Sequence, residues 1–462
     1  MAKHQMPPPG MAGIPSPAAS GGDPDRFFAK VSPDPLSGAY AERFAIHAGP
    51  MSAGEAFAGE AAAERHISRL ALPGGPCAFY VHVPFCTGRC LFCGFAGSSP
   101  AGGAGVGYCE AVVGEIASIA RTTGPRGPVR AVYFGGGTPS SMEPGELDRI
   151  LSAVRSCVPL ANDCEITLEG AVHDFTPERT GAFLESGFNR LSVGIQSFDT
   201  GVRRSMGRIM SGAEALLRLR EICARSMAAV VIDLIYGLPG QTLEIFAGDL
   251  ELAASAGVDG LDVYQLNVFP GGALERAAGE GRVPFPAPLS EQGRYYALAM
   301  ERLGRLGFRQ LTLSHFAKGT RERNIYNPWA KRRLDCLAAG AGAGGFISGW
   351  SYYRRPDAAG YVERAKAGGF SPDFVNAPPD AGGLSSFIAG EMEEGALDLD
   401  ALGKLFGAMP PALPRLLENW LRAGLATEEG GLVKLTAAGR FWGVNMAQAA
   451  IASIGQGAGP DA

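Results

Sequence analysis

Short runs of apolar and β-branched residues alternate along the middle of the chain with longer segments in which apolar residues recur at helical spacing. The runs predict six strands buried on both faces: Phe79–Val83, Val129–Phe134, Glu165–Glu169, Arg190–Ile195, Val230–Ile235 and Leu261–Val268. The segments between them predict helices at Tyr108–Arg121, Pro144–Cys157, Pro177–Ser186, Ala213–Arg225 and Leu243–Ser255. Buried strands joined by helices indicate a parallel sheet, so we expect an α/β fold.

The pattern changes on both sides of this repeat and divides the chain into five parts: 1–32, 33–75, 76–285, 286–379 and 380–462. The first part is rich in Pro, Gly and Ala without an apolar period, which predicts a disordered tail. The second is expected to form a strap packed on the repeat. The fourth predicts a helix over 289–307 and a strand at Phe308–Ser314 that extend the sheet, and the last predicts a small helical domain.

Composition narrows the class of protein. The chain has 462 residues and a formal net charge of −5. Because no basic excess points to nucleic acid, a cofactor or small molecule is the expected partner. The nine cysteines are too sparse for a disulfide scaffold, and neither a signal peptide nor an apolar run of membrane-spanning length occurs. We therefore expect a cytoplasmic protein that does not insert into a membrane.

Three of the cysteines stand close together directly after the first predicted strand. Cys86, Cys90 and Cys93 follow a Cys-x3-Cys-x2-Cys spacing. A structural zinc site normally takes four protein ligands, so three thiolates leave one position for another group. Soft thiolates select iron–sulfur chemistry, and the spacing predicts a [4Fe–4S] cluster with one iron free of protein. A zinc site or a redox dithiol would be expected to show a second cysteine pair or a thioredoxin-like context.

Polar and glycine residues stand at the ends of the following strands. In chain order they are Gly135-Gly136-Gly137-Thr138, Glu169, Gln196, Arg208 and Asp233. A glycine turn lets backbone groups approach a ligand closely because no Cβ intervenes. In a parallel barrel the chemistry lies beyond the C-terminal ends of the strands, where these residues fall. Taken singly, each charged residue could equally cap a helix or pair with a neighbour.

The cysteine spacing and this order of residues resemble the radical S-adenosylmethionine (SAM) superfamily and, over roughly residues 78–350, its HemN-like family. The resemblance implies a partial (β/α)6 barrel with a small C-terminal, winged-helix-like helical domain, a [4Fe–4S] cluster, and SAM on the fourth iron. It also implies the SAM contacts, which are Tyr80, Phe92, Gly136, Gly137, Thr138, Glu169, Gln196, Arg208 and Asp233. The winged-helix-like domain carries too little positive charge to indicate DNA binding.

Three members of this family compete. Oxygen-independent coproporphyrinogen oxidases usually carry a fourth cysteine where this chain has Phe95, whereas heme chaperones of the HemW type also lack it. The third member is the ChuW/HutW group of anaerobic heme-degrading radical SAM methyltransferases (anaerobilin synthases), which we prefer. The segments that resemble this group are Asp34-Pro35-Leu36 through His47-Ala48, Cys90–Phe95, Arg323–Asn327 and Asp335–Gly345. Ala96-Gly97 departs from its pattern, since a bulkier continuation would be expected.

The preferred resemblance implies a reaction and its partners. Reductive cleavage of SAM would give a radical that activates the methyl group of a second SAM molecule. Methylation of a heme meso carbon, ring opening to a linear tetrapyrrole and iron release would follow. The implied partners are heme or a related tetrapyrrole, a flavodoxin-like or ferredoxin-like electron donor of low potential, and a heme carrier protein.

A heme pocket is expected to combine basic residues at its rim with aromatic residues inside. The residues that we assign to it are Arg321, Arg323, Lys331, Arg332 and Arg333 at the rim, and Tyr326, Trp329, Trp350, Tyr352 and Tyr353 inside. His315 is the histidine to test first as an iron contact, although a core histidine is the alternative; His47 and His66 of the strap are further candidates for substrate contact. Gly340–Gly345 could meet a second SAM or the porphyrin edge, or form a packed turn.

Overall fold

A computed structural model describes ten stretches of the chain: residues 24–44, 56–58, 65–67, 69–70, 74–94, 104–122, 127–368, 372–378, 383–407 and 409–454. Residues 1–23 of the predicted tail, His47 and Phe95 lie outside these stretches, as do Ala96 and Gly97.

The described part of the chain contains sixteen strands in two sheets. In chain order they are β1 (Ala56–Ala58), β2 (Cys77–Val83), β3 (Val129–Gly136), β4 (Leu160–Ala171), β5 (Arg190–Gln196), β6 (Ala229–Tyr236), β7 (Gly260–Gln265), β8 (Arg309–Gln310), β9 (His315–Ala317), β10 (Cys336–Ala339), β11 (Gly344–Ile347), β12 (Trp350–Tyr353), β13 (Phe374–Asn376), β14 (Ala396–Asp398), β15 (Ala426–Glu429) and β16 (Leu432–Leu435). The large sheet runs β1-β13-β12-β11-β10-β2-β3-β4-β5-β6-β7-β9-β8. Its seven central strands, β10 and β2 to β7, are parallel.

The six predicted strands are confirmed as β2 to β7, so the α/β barrel fold is confirmed as well. Two features of the sheet differ from the prediction. β10 joins the parallel sheet beside β2, with Cys336 opposite Ala78. The single strand predicted at Phe308–Ser314 is wrong, because β8 and β9 are short and antiparallel. The chain turns between them, where the N–H groups of Leu311 and Thr312 both donate to the carbonyl of His315.

The described stretches contain sixteen α-helices. They are Pro35–Gly38, Ala104–Thr122, Pro144–Cys157, Pro177–Ser186, Thr200–Ser205, Gly212–Ala224, Leu243–Ala256, Ala273–Gly279, Leu289–Arg305, Tyr326–Lys331, Ala358–Lys366, Leu384–Glu394, Leu399–Phe406, Leu413–Arg422, Ala437–Phe441 and Gly443–Ala452. Local sequence sets their ends: Ser211 and Glu214 form a capping box, and Gly257 ends a helix in the left-handed conformation. Within the described stretches, no helix is both long and apolar enough to cross a membrane.

The C-terminal residues form a small unit that is attached to the N-terminal strap. Its three-stranded antiparallel sheet, β14-β16-β15, packs with short helices. The amide of Asn419 accepts from the N–H of Ala29 (2.7 Å) and donates to its carbonyl (2.9 Å). Asn445 likewise accepts from Phe44 N and donates to Glu42 O. These buried amides satisfy backbone groups of Ala29, at the end of the predicted tail, and of Glu42 and Phe44 in the strap, and they hold both against this unit.

Candidate functional site

The cysteine loop leaves the C-terminal end of β2 and is fixed by its neighbours. The Thr138 hydroxyl, in the turn after β3, donates to the Cys86 sulfur at 3.4 Å. The Cys93 N–H donates to the Cys90 carbonyl (3.2 Å). The Leu91 N–H donates to the Met206 carbonyl (3.3 Å), which ties the loop to the segment after β5. All three cysteines therefore lie at the end of the barrel at which the parallel strands terminate.

A cavity of about 470 Å³ opens at this end of the barrel. The residues of the predicted site that line it are Cys86, Cys90, Cys93, Phe92, Gly136, Gly137, Thr138, Glu169, Gln196, Arg208 and Asp233. One cavity thus brings together side chains from the cysteine loop and from four strand ends. Its volume lies in the range that takes one drug-sized ligand.

Tyr80 is the predicted contact that does not line this cavity. Its ring packs beside the rings of Tyr133 (centroids 6.3 Å apart) and Tyr326 (5.8 Å). Its hydroxyl is 3.1 Å from Nδ1 of His82. Tyr80 therefore belongs to an aromatic layer inside the barrel.

The glycine turn after β3 leaves no room for side chains. The Gly137 N–H donates to the Val83 carbonyl (2.7 Å), and a Cβ at Gly137 would lie 3.0 Å from the Cys86 sulfur. Gly136 has a φ of +115°, and a Cβ there would lie 2.7 Å from the His82 ring. Glycine is required at both positions, and the backbone is thereby open to a ligand beside the cysteines.

Arg208 supplies a half-buried cation to the cavity. Its guanidinium donates to the Gln196 side chain and lies over the Phe92 ring, 5.8 Å from the centroid. Gln196 has a positive φ of 67°, which is unusual for a residue other than glycine. The Nε of Arg208 is buried and has no hydrogen-bond partner among the described residues. A ligand carboxylate would satisfy this donor, so the site fits an anionic group here.

Two half-buried carboxyl groups, those of Glu169 and Asp233, also line the cavity. Burial raises the pKa of Glu169, even though Tyr133 and the Gly136 N–H donate to it. Burial, followed by Asp262 and Glu169, raises the pKa of Asp233 well above its usual value. Such groups favour a ligand cation, which would compensate the charge that burial opposes. The site therefore offers one region for an anion and another for a cation, as SAM requires.

These pKa shifts predict a pH dependence for SAM binding. In the free protein Glu169 and Asp233 stay protonated to higher pH than usual, whereas a bound cation favours their carboxylates. Binding should therefore release protons, and affinity should rise with pH by up to about tenfold per unit for each proton released. Calorimetry from mildly acidic to neutral pH measures this slope. S-adenosylhomocysteine, which lacks the sulfonium charge, should show a shallower slope; equal slopes would contradict the assignment.

The three thiols suit a cluster better than a single ion. The ligands of one zinc ion would all lie within about 2.3 Å of it. A [4Fe–4S] cluster instead binds each thiolate to a different iron, so its cysteines surround a larger volume. Three cysteines that line one cavity agree with this donor set.

The residues assigned to a heme pocket lie elsewhere, which corrects that prediction. Arg323 pairs with Asp163 at the start of β4, and Arg321 donates to Ser226 O and Ala228 O before β6. Both arginines are thus at the N-terminal end of the barrel, opposite the cysteines. The remaining residues also have other surroundings, since none of Tyr326, Trp329, Lys331, Arg332, Arg333, Trp350, Tyr352 and Tyr353 lines the cavity.

Specific contacts explain these positions. The Tyr326 ring stacks on Tyr133, with centroids 4.3 Å apart, and Trp329 donates to the Asp335 carbonyl. Lys331 pairs with Glu393, and Arg332 with Glu391 and Glu394, in the helix Leu384–Glu394. Tyr352 accepts from Ala338 N, and Trp350 contacts the ring of His66 at 4.0 Å. These side chains close the far end of the barrel and the edge of the sheet.

His315 is also excluded as an iron contact. Its Nδ1 lies 2.9 Å from Asp262 and its Nε2 3.2 Å from Glu322, and the side chain is 1% exposed. Burial alone would lower the pKa of His315, but Asp262 and Glu322 outweigh it and raise the pKa to about 9. A protonated, buried imidazole with both nitrogens engaged has no lone pair for iron.

The glycine-rich run Gly340–Gly345 forms a packed turn between β10 and β11. Its backbone donors are already used: Gly340 N donates to Glu115 (2.7 Å), Ala341 N to Tyr108 (2.9 Å) and Gly342 N to the Arg355 carbonyl (3.0 Å). A ligand that needs these N–H groups would find them occupied. Gly340–Gly345 was predicted to be either a ligand-binding loop or a packed turn, and the packed turn is confirmed.

The cavity also contains residues that the sequence did not single out. Thr87, Arg89, His173 and Ile209 line its outer part. Their positions after strand ends or between the cysteines were the only sequence signal that could have identified them as site residues. No motif marked them.

Comparisons with known proteins agree with this geometry. A model of the Radical SAM superfamily matches residues 80–253. Anaerobilin synthase of Escherichia coli O157:H7 is 38% identical over 372 residues, which cover 80% of this chain and 82% of that protein. Heme chaperone HemW of Bacillus subtilis is 28% identical over 58% of this chain and 71% of its own length. The structure of coproporphyrinogen III oxidase (HemN) from Escherichia coli superposes with a TM-score of 0.71 at 22% identity, covering 85% of this chain and 93% of that one.

Proposed function

Because the chain belongs to the HemN-like family of radical SAM enzymes, we propose that it methylates and opens the heme macrocycle without oxygen. The products would be a linear tetrapyrrole and free iron. The observation that carries this proposal is the 38% identity to anaerobilin synthase over 80% of the chain. The cavity supports it, since cysteines and paired anionic and cationic subsites meet there.

We assign the cofactor contacts residue by residue. Cys86, Cys90 and Cys93 would hold a [4Fe–4S] cluster, with SAM bound at its fourth iron. When reduced by one electron, this pair supplies methionine and a 5′-deoxyadenosyl radical. Thr138 steadies the Cys86 thiolate through the hydrogen bond already present at 3.4 Å.

The remaining SAM contacts follow from charge. Arg208 pairs its free Nε with the SAM carboxylate, and Gln196 orients the guanidinium from its strained backbone position. Glu169 and Asp233 hold the ammonium, ribose and sulfonium groups. Gly136 and Gly137 let the methionine part approach the backbone, Phe92 packs under Arg208, and Tyr80 supports the wall from inside the barrel.

The methyl group requires a second SAM molecule, so we propose that two take part. A flavodoxin-like or ferredoxin-like protein would supply the electron, and a heme carrier would handle the tetrapyrrole. We also propose a cytoplasmic location, because an oxygen-sensitive cluster needs a reducing compartment. No nucleic acid or membrane takes part in this proposal.

A heme chaperone is the second candidate, favoured by the 28% identity to HemW over 58% of the chain. A chaperone would bind heme and pass it on unchanged. Coproporphyrinogen oxidation rests on a structure 22% identical to this chain, a likeness that reaches only the fold.

One anaerobic assay separates these functions. Reconstituted protein is mixed with heme, methyl-labelled SAM and a low-potential reductant, and the Soret band is followed. Loss of the band, release of iron and a tetrapyrrole carrying the labelled methyl group are expected. Stable heme binding without product would favour the chaperone instead. Carbon dioxide release from coproporphyrinogen would favour the oxidase.

A further inference from the structure

The cavity has an outer part to which the cofactor assignments give no role. Its residues are Thr87, Arg89, His173, Ile209 and Met210. The inner part, with Arg208 and the carboxyl groups of Glu169 and Asp233, is assigned to one SAM molecule. The outer part is open to a further ligand, and its side chains decide which chemical groups that ligand can carry.

One side of the mouth combines a free cation with an apolar side chain. Arg89 is exposed and forms no side-chain hydrogen bond or ion pair with any residue that the structure describes. Ile209 is 75% exposed, which is unusual for so large an apolar side chain. Both line the open mouth of the cavity, so a ligand bound there would contact both.

Backbone contacts hold together the two segments that carry these side chains. Leu91 N donates to the Met206 carbonyl at 3.3 Å. Gly207 has a φ of +82°, and a Cβ there would lie 3.2 Å from the Arg89 carbonyl. The loop that carries Arg89 therefore rests against the segment that carries Ile209.

A fixed polar group stands at the same mouth. His173 lies 3.2 Å from the Thr87 hydroxyl and 3.4 Å from Asp174. Asp174 in turn accepts from the Ser140 hydroxyl at 2.6 Å. This chain of contacts orients the imidazole, which is 30% exposed, and gives the mouth a second polar wall.

We propose that this mouth binds the carboxylate-bearing edge of the tetrapyrrole substrate, with Arg89 as the contact of one propionate and Ile209 against the pyrrole face. The inference rests on the proposed function and names the subsite of its substrate. This mouth takes the place of the heme pocket that we predicted around Arg321 and Arg323, which lie at the opposite end of the barrel. A flat apolar ring with anionic substituents matches an apolar wall with an unpaired guanidinium.

The test compares heme with its dimethyl ester, in which both carboxylates are neutral. Soret titrations are done on the reconstituted holoenzyme without reductant, so that no turnover occurs. Wild-type protein should bind heme about tenfold or more tightly than the ester, as expected for one charge-assisted hydrogen bond. Arg89→Gln should weaken heme binding by that factor and leave ester binding unchanged. Arg294→Gln, an exposed arginine on the outer helix Leu289–Arg305, is the matched control and should change neither.

A second variant covers the case in which Arg89→Gln disturbs the cluster loop, which its absorbance would reveal. Ile209→Glu places a negative charge in the mouth and should weaken heme binding more than ester binding. An unchanged ratio of heme to ester affinity in both variants would overturn the inference. The inference would also be overturned if Arg89→Gln binds heme and the ester normally and is defective only when an acidic protein donor reduces the cluster. If wild-type protein binds neither ligand, the proposed function is wrong. If it opens heme but the ratio of heme to ester affinity does not change in the Arg89 variant, only this inference is wrong.

Discussion

Replacement of Cys90 by alanine is expected to abolish cluster binding and, with it, the reductive cleavage of SAM. The Cys90 thiol lines the cavity together with those of Cys86 and Cys93. Three thiolates bind three of the four irons of a [4Fe–4S] cluster and leave the fourth for SAM. Loss of one exposes a second iron, so the cluster should not survive reconstitution. Iron and sulfide analysis, the visible absorbance of the cluster and 5′-deoxyadenosine formation should all fall to background.

Cys109→Ala provides the control for this prediction. Cys109 is fully buried in the helix Ala104–Thr122, and its thiol donates to the Glu146 carbonyl at 3.4 Å. It has no access to the cavity, so the variant should keep its cluster and its SAM cleavage. If both variants lose activity equally, the assignment of Cys90 as a ligand is wrong.

Replacement of Glu115 by alanine should lower the free energy of unfolding by about 3–5 kcal/mol. Glu115 is fully buried, pairs with Arg354, and accepts hydrogen bonds from Tyr361 (2.6 Å) and Gly340 N (2.7 Å). Truncation would leave the guanidinium, whose side chain is 4% exposed, without its counter-ion in the interior. The turn after β10 would also lose its anchor. Urea denaturation followed by circular dichroism measures the change.

A second carboxylate of the same helix serves as the comparison. Glu110 pairs with Arg149, but these side chains are 56% and 51% exposed. Glu110→Ala should therefore cost less than about 1 kcal/mol, because water already screens the pair. Losses of similar size in the two variants would show that burial does not govern the Glu115 pair.

The sequence predicted the parallel core well because its signal is local. Each of β2 to β7 is an apolar run followed by an amphipathic helix, and chain order equals spatial order across these strands. The candidate site followed for the same reason, since residues at consecutive strand ends meet at one face of a barrel. Eleven of the twelve predicted ligand residues line one cavity, and Tyr80 lies just below it.

The sequence could not reveal features that depend on contacts between distant segments. β10 is a run of only four residues, Cys336–Ala339, ahead of a glycine-rich turn, and nothing local shows that it pairs with β2. The basic and aromatic segment after β9 has the composition of a heme pocket, yet composition does not say which end of a barrel it covers. The ion pairs of Glu322 with Arg190 and His315 in the interior fix the position of this segment.

Arg89 and His173 were missed for a related reason. Each is a single polar residue in a loop, where a solvated side chain is the ordinary outcome. Only the three-dimensional arrangement shows that both border the cavity that contains the cysteines.

The pairing of β10 with β2 also bears on how the protein is made. During translation β2 and the cysteine loop leave the ribosome roughly 250 residues before β10, which at about 5–20 residues per second corresponds to roughly 10 to 50 s. Throughout this interval one edge of β2 has unpaired backbone groups, the kind of edge on which strands aggregate. Nascent chains stalled before Cys336 should therefore depend on a chaperone, whereas chains from which β10 has emerged should not.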